Sequence, residues 1–155
     1  MRLNSLVPGL EGDGGEQSVT GFAIDHRKVA PGNIFGAFRG AKFNGEEFVE
    51  AAVASGAIAI VALPEARVEG AVHIADEEPR RLFAQMAARY FTPTPTHVAA
   101  VTGTNGKTST AELTRQLWRM DGYNSASIGT LGVTTADDQV KTGLTTPDIV
   151  TFLSN

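Results

Sequence analysis

The sequence predicts an α/β chain in two parts, a small mixed-sheet domain followed by the start of a parallel-sheet domain that stops short. Three observations predict it. Short runs rich in strand formers alternate with stretches whose apolar residues recur at helical spacing. The segment TPTPT at 92–96 sets alternating prolines between the two parts, and such a run favours an extended spacer over a helix. Beyond it, HVAAVTG at 97–103 reads as a strand that feeds a glycine loop and then a helix over 108–121. The expected division is a first domain over 1–91, the linker 92–96 and a second, incomplete domain over 97–155.

Each element has its own signal. SVTGFAID (18–25) alternates loosely and is rich in strand formers, and Pro31-Gly32 marks the turn before a second strand at IFGAF (34–38). From Glu46, residues Phe48, Val49, Ala52 and Val53 recur at helical spacing, with Gly56 as the stop. AIAIVAL (57–63) reads as a buried strand and AVHIA (71–75) as a further one. Leu82, Phe83, Met86, Ala87, Tyr90 and Phe91 then fall on one helical stripe, opposite Arg80, Arg81, Gln85 and Arg89. In the second part the helix carries Leu113, Leu117, Trp118 and Met120. NSASIGTLG (124–132) reads as a strand running into a glycine-bearing turn, and VTTADDQVKTG as a small hairpin around Asp137-Asp138. A last helix is expected to start near Pro147. A parallel sheet needs several strands joined by crossovers of a dozen or more residues. The residues after the linker hold too few of them, so this part is expected to be truncated.

Composition limits the function classes. The chain has 155 residues, 42% hydrophobic and 19% charged, which suits a folded globular protein rather than a disordered one. A net charge of −4 leaves no basic footprint for nucleic acid. The lack of cysteine excludes disulfides and thiolate metal sites and fits a reducing compartment. No long apolar core opens the chain, so no signal peptide is expected, and the longest apolar run, 57–63, is far too short to span a bilayer. A cytoplasmic protein with no membrane partner is the expectation.

The stretch AAVTGTNGKTSTAEL (99–113) carries the chemistry. Strand, glycine turn and helix gather backbone N–H groups and the positive end of the helix dipole around an anion. Gly103 and Gly106 let the backbone approach phosphate oxygens closely. Lys107 supplies positive charge for the terminal phosphates, and Thr108 sets a hydroxyl where Mg²⁺ is coordinated. The bland alternative is a tight turn that happens to contain Gly and Lys. The hydroxyl directly after the lysine and the amphipathic helix behind it argue against that. The common phosphate loop, G-x-x-x-x-G-K-[ST], nevertheless has four residues between its glycines, where this chain has only Thr104 and Asn105.

The form T-G-T-N-G-K-T-[ST] resembles the ATP loop of the Mur ligases, a family shared with folylpolyglutamate and cyanophycin synthetases. The folate enzymes usually have Gly after the lysine, so Thr108 points to the Mur branch. Residues 24–62 are similar to the N-terminal domain of the third- and fourth-step Mur ligases, roughly D-S-R-x-V-x-P-G-x-[LI]-F-x-A-x-x-G-x-x-x-D-G-x-x-F. The matching positions are Asp25, Arg27, Pro31, Gly32, Phe35, Ala37, Gly40 and Gly45. SIGTLG (127–132) and LTTPD (144–148) resemble the third-step branch in particular.

The resemblance implies an ATP-dependent amide-bond ligase of peptidoglycan precursor synthesis. It would add a diamino acid, meso-diaminopimelate being the expected one, to UDP-MurNAc-L-Ala-D-Glu through an acyl phosphate. ATP and Mg²⁺ are the implied cofactors, and a monomer the implied state. Gly103, Thr104, Asn105, Gly106, Lys107, Thr108 and Ser109 would contact ATP, with Lys107 acting on the transferred phosphoryl group and Thr108 next to Mg²⁺. Thr145 and Thr146 would contact the UDP-MurNAc substrate, or else cap a helix before Pro147. In the first domain the D-S-R segment and the loop after Gly40 would hold the UDP moiety, which brings in His26, Ala41, Lys42 and Phe43. His26 departs from the family's serine. Phe43 is expected to fill the small core or, failing that, to stack on the base. Asp25 and Arg27 are expected to pair structurally or else to contact the ligand, His73 to be packed or partly exposed, His97 to be structural, and Arg80-Arg81 and Asp137-Asp138 to be solvated. The family's M-E-x-S-S-H segment, its carbamylated lysine and its C-terminal domain have no counterpart here, so this chain is not expected to complete ligation alone. The alternatives are a fourth-step ligase that adds D-Ala-D-Ala, or a UDP-sugar- or nucleotide-binding module without turnover.

Overall fold

Four short strands with a crossover between each pair organise the first half of the chain. The computed structural model describes residues 1–10, 12–40, 43–140 and 148–154. The chain divides into two units, Met1–Thr92 and Pro93–Asn155. In the first, β1 (Gly21–Ala23), β2 (Asn33–Gly36), β3 (Ala59–Ala62) and β4 (Val72–Ala75) lie side by side in sequence order. All three pairings are parallel, with Phe22 opposite Ile34, Phe35 opposite Ile60 and Val61 opposite Ile74. The α/β class is therefore as the sequence predicts, but the sheet is parallel where a mixed one is expected. The reason lies in the connections. A 3-10 turn at His26–Lys28, the helix α2 (Val49–Ala54) and the loop 63–71 each return the chain in the same direction, and no hairpin intervenes.

Every residue of β2 and β3 is buried, the mark of strands covered on both faces. On one face Phe35, Ala37, Ile60 and Ala62 pack with Val49 and Ala52 of α2 and with Ala57. On the other lies α3 (Pro79–Tyr90), whose expected stripe places Phe83, Met86 and Ala87 in the core. The ring of Phe83 meets Phe22 and Phe38 edge-on, with centroids 5.2 and 5.3 Å apart. One element has no counterpart in the sequence prediction. The single-turn helix α1 (Leu3–Leu6) buries Leu3 and Leu6 completely, and Arg89 of α3 donates to the Leu6 carbonyl at 2.7 Å. Two leucines in four residues carry no periodicity that could announce it.

In the second unit the long helix α4 runs over Lys107–Met120. It is followed by β5 (Ser127–Gly129), β6 (Gly132–Thr134) and β7 (Gln139–Val140), an antiparallel three-stranded sheet in sequence order. The expected hairpin around Asp137-Asp138 joins β6 to β7, and Thr135 Oγ1 accepts from both aspartate amides. The final helix α5 spans Ile149–Ser154. Its cap is Asp148, whose Oδ1 accepts from the amides of Val150 and Thr151 at 2.9 and 3.0 Å. The expected strand at 97–103 is absent from the described structure, where these residues are unpaired and exposed, Val98 to 67%. A parallel strand exists only through its neighbours, and no described segment pairs with this one. Among the described residues no helix is long and apolar enough to cross a membrane.

Candidate functional site

The glycine loop has the backbone geometry that its composition implies. Gly103 and Gly106 have φ of +148° and +79°, conformations that a side chain resists, and Gly106 is the residue that precedes α4. No side chain caps this end of the helix, and its first turn holds no acidic residue. The first-turn amides of Lys107, Thr108 and Ser109 thus stand at the positive end of a 14-residue helix dipole. Lys107 folds back over the loop, its Nζ donating to the carbonyls of Gly103 at 2.5 Å and Thr104 at 3.3 Å. An ammonium held only by neutral carbonyls is poised to turn toward an arriving anion. Thr104, Asn105, Thr108 and Ser109 are exposed around it. The predicted loop residues are therefore brought together, with a row of amides, a cation and hydroxyls on one solvent-facing turn.

Metal ligation here rests on little protein. Among the described residues no cluster of three or more His, Asp or Glu side chains is arranged to hold an ion. A hydroxyl at Thr108 beside phosphate oxygens and water still suits Mg²⁺, which keeps much of its hydration and takes few protein ligands at nucleotide sites.

Behind the loop, α4 is tied to the sheet that follows it by a carboxylate the sequence did not single out. Glu112 accepts from Arg115 through both oxygens, at 2.5 and 3.0 Å, and also from Gln116 and from Ser127 of β5. Arg115, nearly buried, donates in turn to the Thr135 carbonyl. The Arg115 guanidinium, with further hydrogen bonds from Gln116 and Ser127, holds the Glu112 carboxyl at about 2, below its ordinary 4.5. A depressed carboxylate stabilises the fold above its unfolded value and loses that contribution as pH falls through the folded one. Stability of this unit is thus expected to decline from about pH 4.5 toward pH 2. Trp118 on α4, the only tryptophan, reports it. Glu112→Gln should flatten the fluorescence titration in that window, and an unchanged acid profile would show the pair to be idle.

In the first unit the motif residues divide between architecture and surface. Phe35 and Ala37 are core. A Cβ on Gly45 would lie 2.6 Å from the Phe38 amide nitrogen, and one on Gly32, at φ +87°, would strike Thr20. Asp25 caps the turn at 26–28 and pairs with Arg27 at 2.7 and 2.9 Å, which holds its carboxyl at about 2. Asp25 and Arg27 thus make the ion pair that the sequence leads one to expect. His26 is half-buried and stacked flat on Phe48, with centroids 4.4 Å apart and planes 5° from parallel. Phe43 corrects its expectation. It is 75% exposed rather than core, because the turn that carries it closes on backbone bonds and leaves the ring outside. Ala41, Lys42, Thr145 and Thr146 lie outside the described residues. His73 is half-buried, with Nε2 3.2 Å from the Leu63 carbonyl, while His97 is exposed near Tyr123. Arg81 pairs with Glu78 on the surface, but Arg80 is not merely solvated, since its guanidinium lies over the Phe38 ring and donates to the Arg39 carbonyl.

The chain is similar to known proteins of one family. The family model described as "Mur ligase family, catalytic domain" matches residues 18–117, and the one described as "Mur ligase middle domain" matches 101–155. A relative from Zymomonas mobilis named UDP-N-acetylmuramoyl-L-alanyl-D-glutamate--2,6-diaminopimelate ligase is 64% identical over 136 residues, 88% of this chain and 28% of its own. A relative of the same name from Mesorhizobium japonicum is 41% identical over 155 residues, 97% of this chain and 32% of its own. Among solved structures, a ligase of that name superposes with a TM-score of 0.75 at 28% identity, covering 99% of this chain and 32% of that one. A MurF ligase from Thermotoga maritima in complex with ADP gives 0.56 at 26% identity, over 74% of this chain and 26% of that one. The chain spans about a third or less of the length of these proteins.

Proposed function

The chain belongs to the Mur ligase family, and from that premise we propose that it forms the substrate- and ATP-holding part of a third-step ligase. That enzyme would join a diamino acid, meso-diaminopimelate, to UDP-MurNAc-L-Ala-D-Glu. The observation that carries the reading is the glycine loop, with two positive-φ glycines and the uncapped start of α4 under the Lys107 ammonium. The names of the relatives support the third step over the fourth, as does the higher TM-score with the structure of that name.

In this reading Gly103–Ser109 bind the phosphates of ATP through backbone amides, and Lys107 leaves the loop carbonyls to neutralise charge on the phosphoryl group in flight. The side-chain carboxylate of D-Glu attacks the γ-phosphorus and ADP leaves. The amine of the diamino acid then attacks the acyl phosphate and expels phosphate. Mg²⁺, carried in with the nucleotide beside Thr108, supplies electrostatic stabilisation of the phosphate oxygens. His26, the loop Ala41–Phe43, Thr145 and Thr146 would hold the UDP-MurNAc end. The outward Phe43 ring favours stacking on the base over a core role.

Calorimetric titration tests the assignment, with UDP-MurNAc-L-Ala-D-Glu, UDP and Mg·ATP in parallel. Saturable binding of both ligand classes is expected. A folded chain silent toward all three would overturn the proposal.

A further inference from the structure

The loop after β2 is closed on itself by backbone bonds. The Gly40 amide donates to the Phe43 carbonyl and the Gly45 amide to the Phe38 carbonyl, both at 2.8 Å, while Arg39 and Asn44 form an antiparallel bridge. What fixes this pinched turn to the rest of its unit is a smaller set of contacts. The Phe38 ring packs over Gly36, where a Cβ would approach it to 2.5 Å, and meets Phe83 of α3 edge-on. Arg80, one turn earlier on the same helix, lays its guanidinium 5.1 Å from the Phe38 ring centroid and donates through Nη2 to the Arg39 carbonyl at 3.2 Å. One side chain thus grips both the ring and the backbone at the root of the turn.

The two arginines here differ in their commitments. Arg39 is spent on carboxylates, with Glu46 at 2.9 Å and Glu65 at 3.1 Å. Arg80 has no carboxylate partner among the described residues, and its Nη2 would be 3.7 Å from a Cβ on Gly40. We propose that Arg80 is the positioning residue of the described segments 38–40 and 43–45 that follow β2, orienting them from α3 for the uridine-nucleotide substrate. This deepens the proposed function and rests on it for the identity of the ligand. The planar guanidinium suits the task because it stacks and donates at once, whereas an ammonium donates without stacking in the same way.

Amide exchange and titration on the whole chain separate the two claims. In Arg80→Ala, exchange at the Gly40 and Gly45 amides is expected to accelerate about tenfold, as local opening becomes easier. The affinity for UDP-MurNAc-L-Ala-D-Glu should fall by about the same factor, one hydrogen bond's worth to a loop that must be held. Arg80→Lys should recover most of both, while the urea midpoint stays level across the series. Arg81→Ala, one residue along the same helix, should change neither. Unchanged exchange in Arg80→Ala overturns the proposal, and so does faster exchange with unchanged affinity. A wild-type chain that binds no uridine ligand overturns the orienting role as well, but there the exchange data still show whether Arg80 holds the turn, so the two failures are told apart.

Discussion

Lys107→Ala is expected to weaken Mg·ATP binding by about 10- to 100-fold, the effect of removing one hydrogen bond to a charged group of about 1.5–3 kcal/mol. The loop offers phosphates mostly neutral donors, the first-turn amides of α4, and one mobile cation. That cation has no carboxylate partner among the described residues and rests only on the Gly103 and Thr104 carbonyls. Little has to be broken for it to reach a ligand, so most of its attraction to phosphate is expressed as affinity. Lys107→Arg should not restore binding fully, because the planar guanidinium is bulkier than an ammonium seated over a two-residue glycine gap. Helix content should be unchanged, since the lysine side chain anchors to its own loop and not to the sheet. A fluorescent ATP analogue titrated against both variants measures this. Equal affinities for wild type and Lys107→Ala would mean that the amides alone hold the nucleotide, and the role given to the lysine would fall.

The parts of this protein that were legible in its sequence are those set by local chemistry. The stripe of Phe83, Met86 and Ala87 needed only a helical period to be recognised, and Gly103 and Gly106 adopt the positive φ for which glycine is used. Asp137-Asp138 turned a hairpin because Thr135 can bond both amides. What was illegible depends on partners distant in the chain. The HVAAVTG run has strand composition, yet a strand is a relation between segments, and the apolar residues Leu113, Leu117 and Met120 of α4 likewise stand 59, 63 and 84% exposed. Phe43 misled because aromatic character does not reveal which way a turn points. Arg80 misled in the opposite sense, since its place on the polar side of α3 says nothing of a loop reached from 41 residues earlier in the chain. Within the 24–62 motif, sequence similarity alone could not tell Gly45, required by the approach of the Phe38 backbone, from His26, which meets solvent.

The largest stability effect is expected from Phe83→Ala, a loss of about 3–5 kcal/mol. Phe83 is fully buried, and its ring serves three neighbours at once. It meets Phe22 of β1 and Phe38 at the root of the 38–45 turn edge-on, and it lies close to Gly36, where a Cβ would stand 3.1 Å from Cδ2. Truncation leaves a cavity that the sheet cannot close, because β2 and β3 are packed on both faces and have no slack to move into it. A small domain has about 5–15 kcal/mol of stability in all, so this one change removes a large share of it. Phe83→Leu keeps most of the volume and should cost less than about 1.5 kcal/mol. Leu117→Ala, on the exposed face of α4, should stay within about 0.5 kcal/mol. Urea titration followed by far-ultraviolet circular dichroism ranks the three. Because Phe38 rides on Phe83, the turn should lose its anchor along with the core, and uridine-ligand binding should fail at urea concentrations where the wild type still binds. If Phe83→Ala proved no worse than Leu117→Ala, the face of the sheet assigned to α3 would be the wrong one.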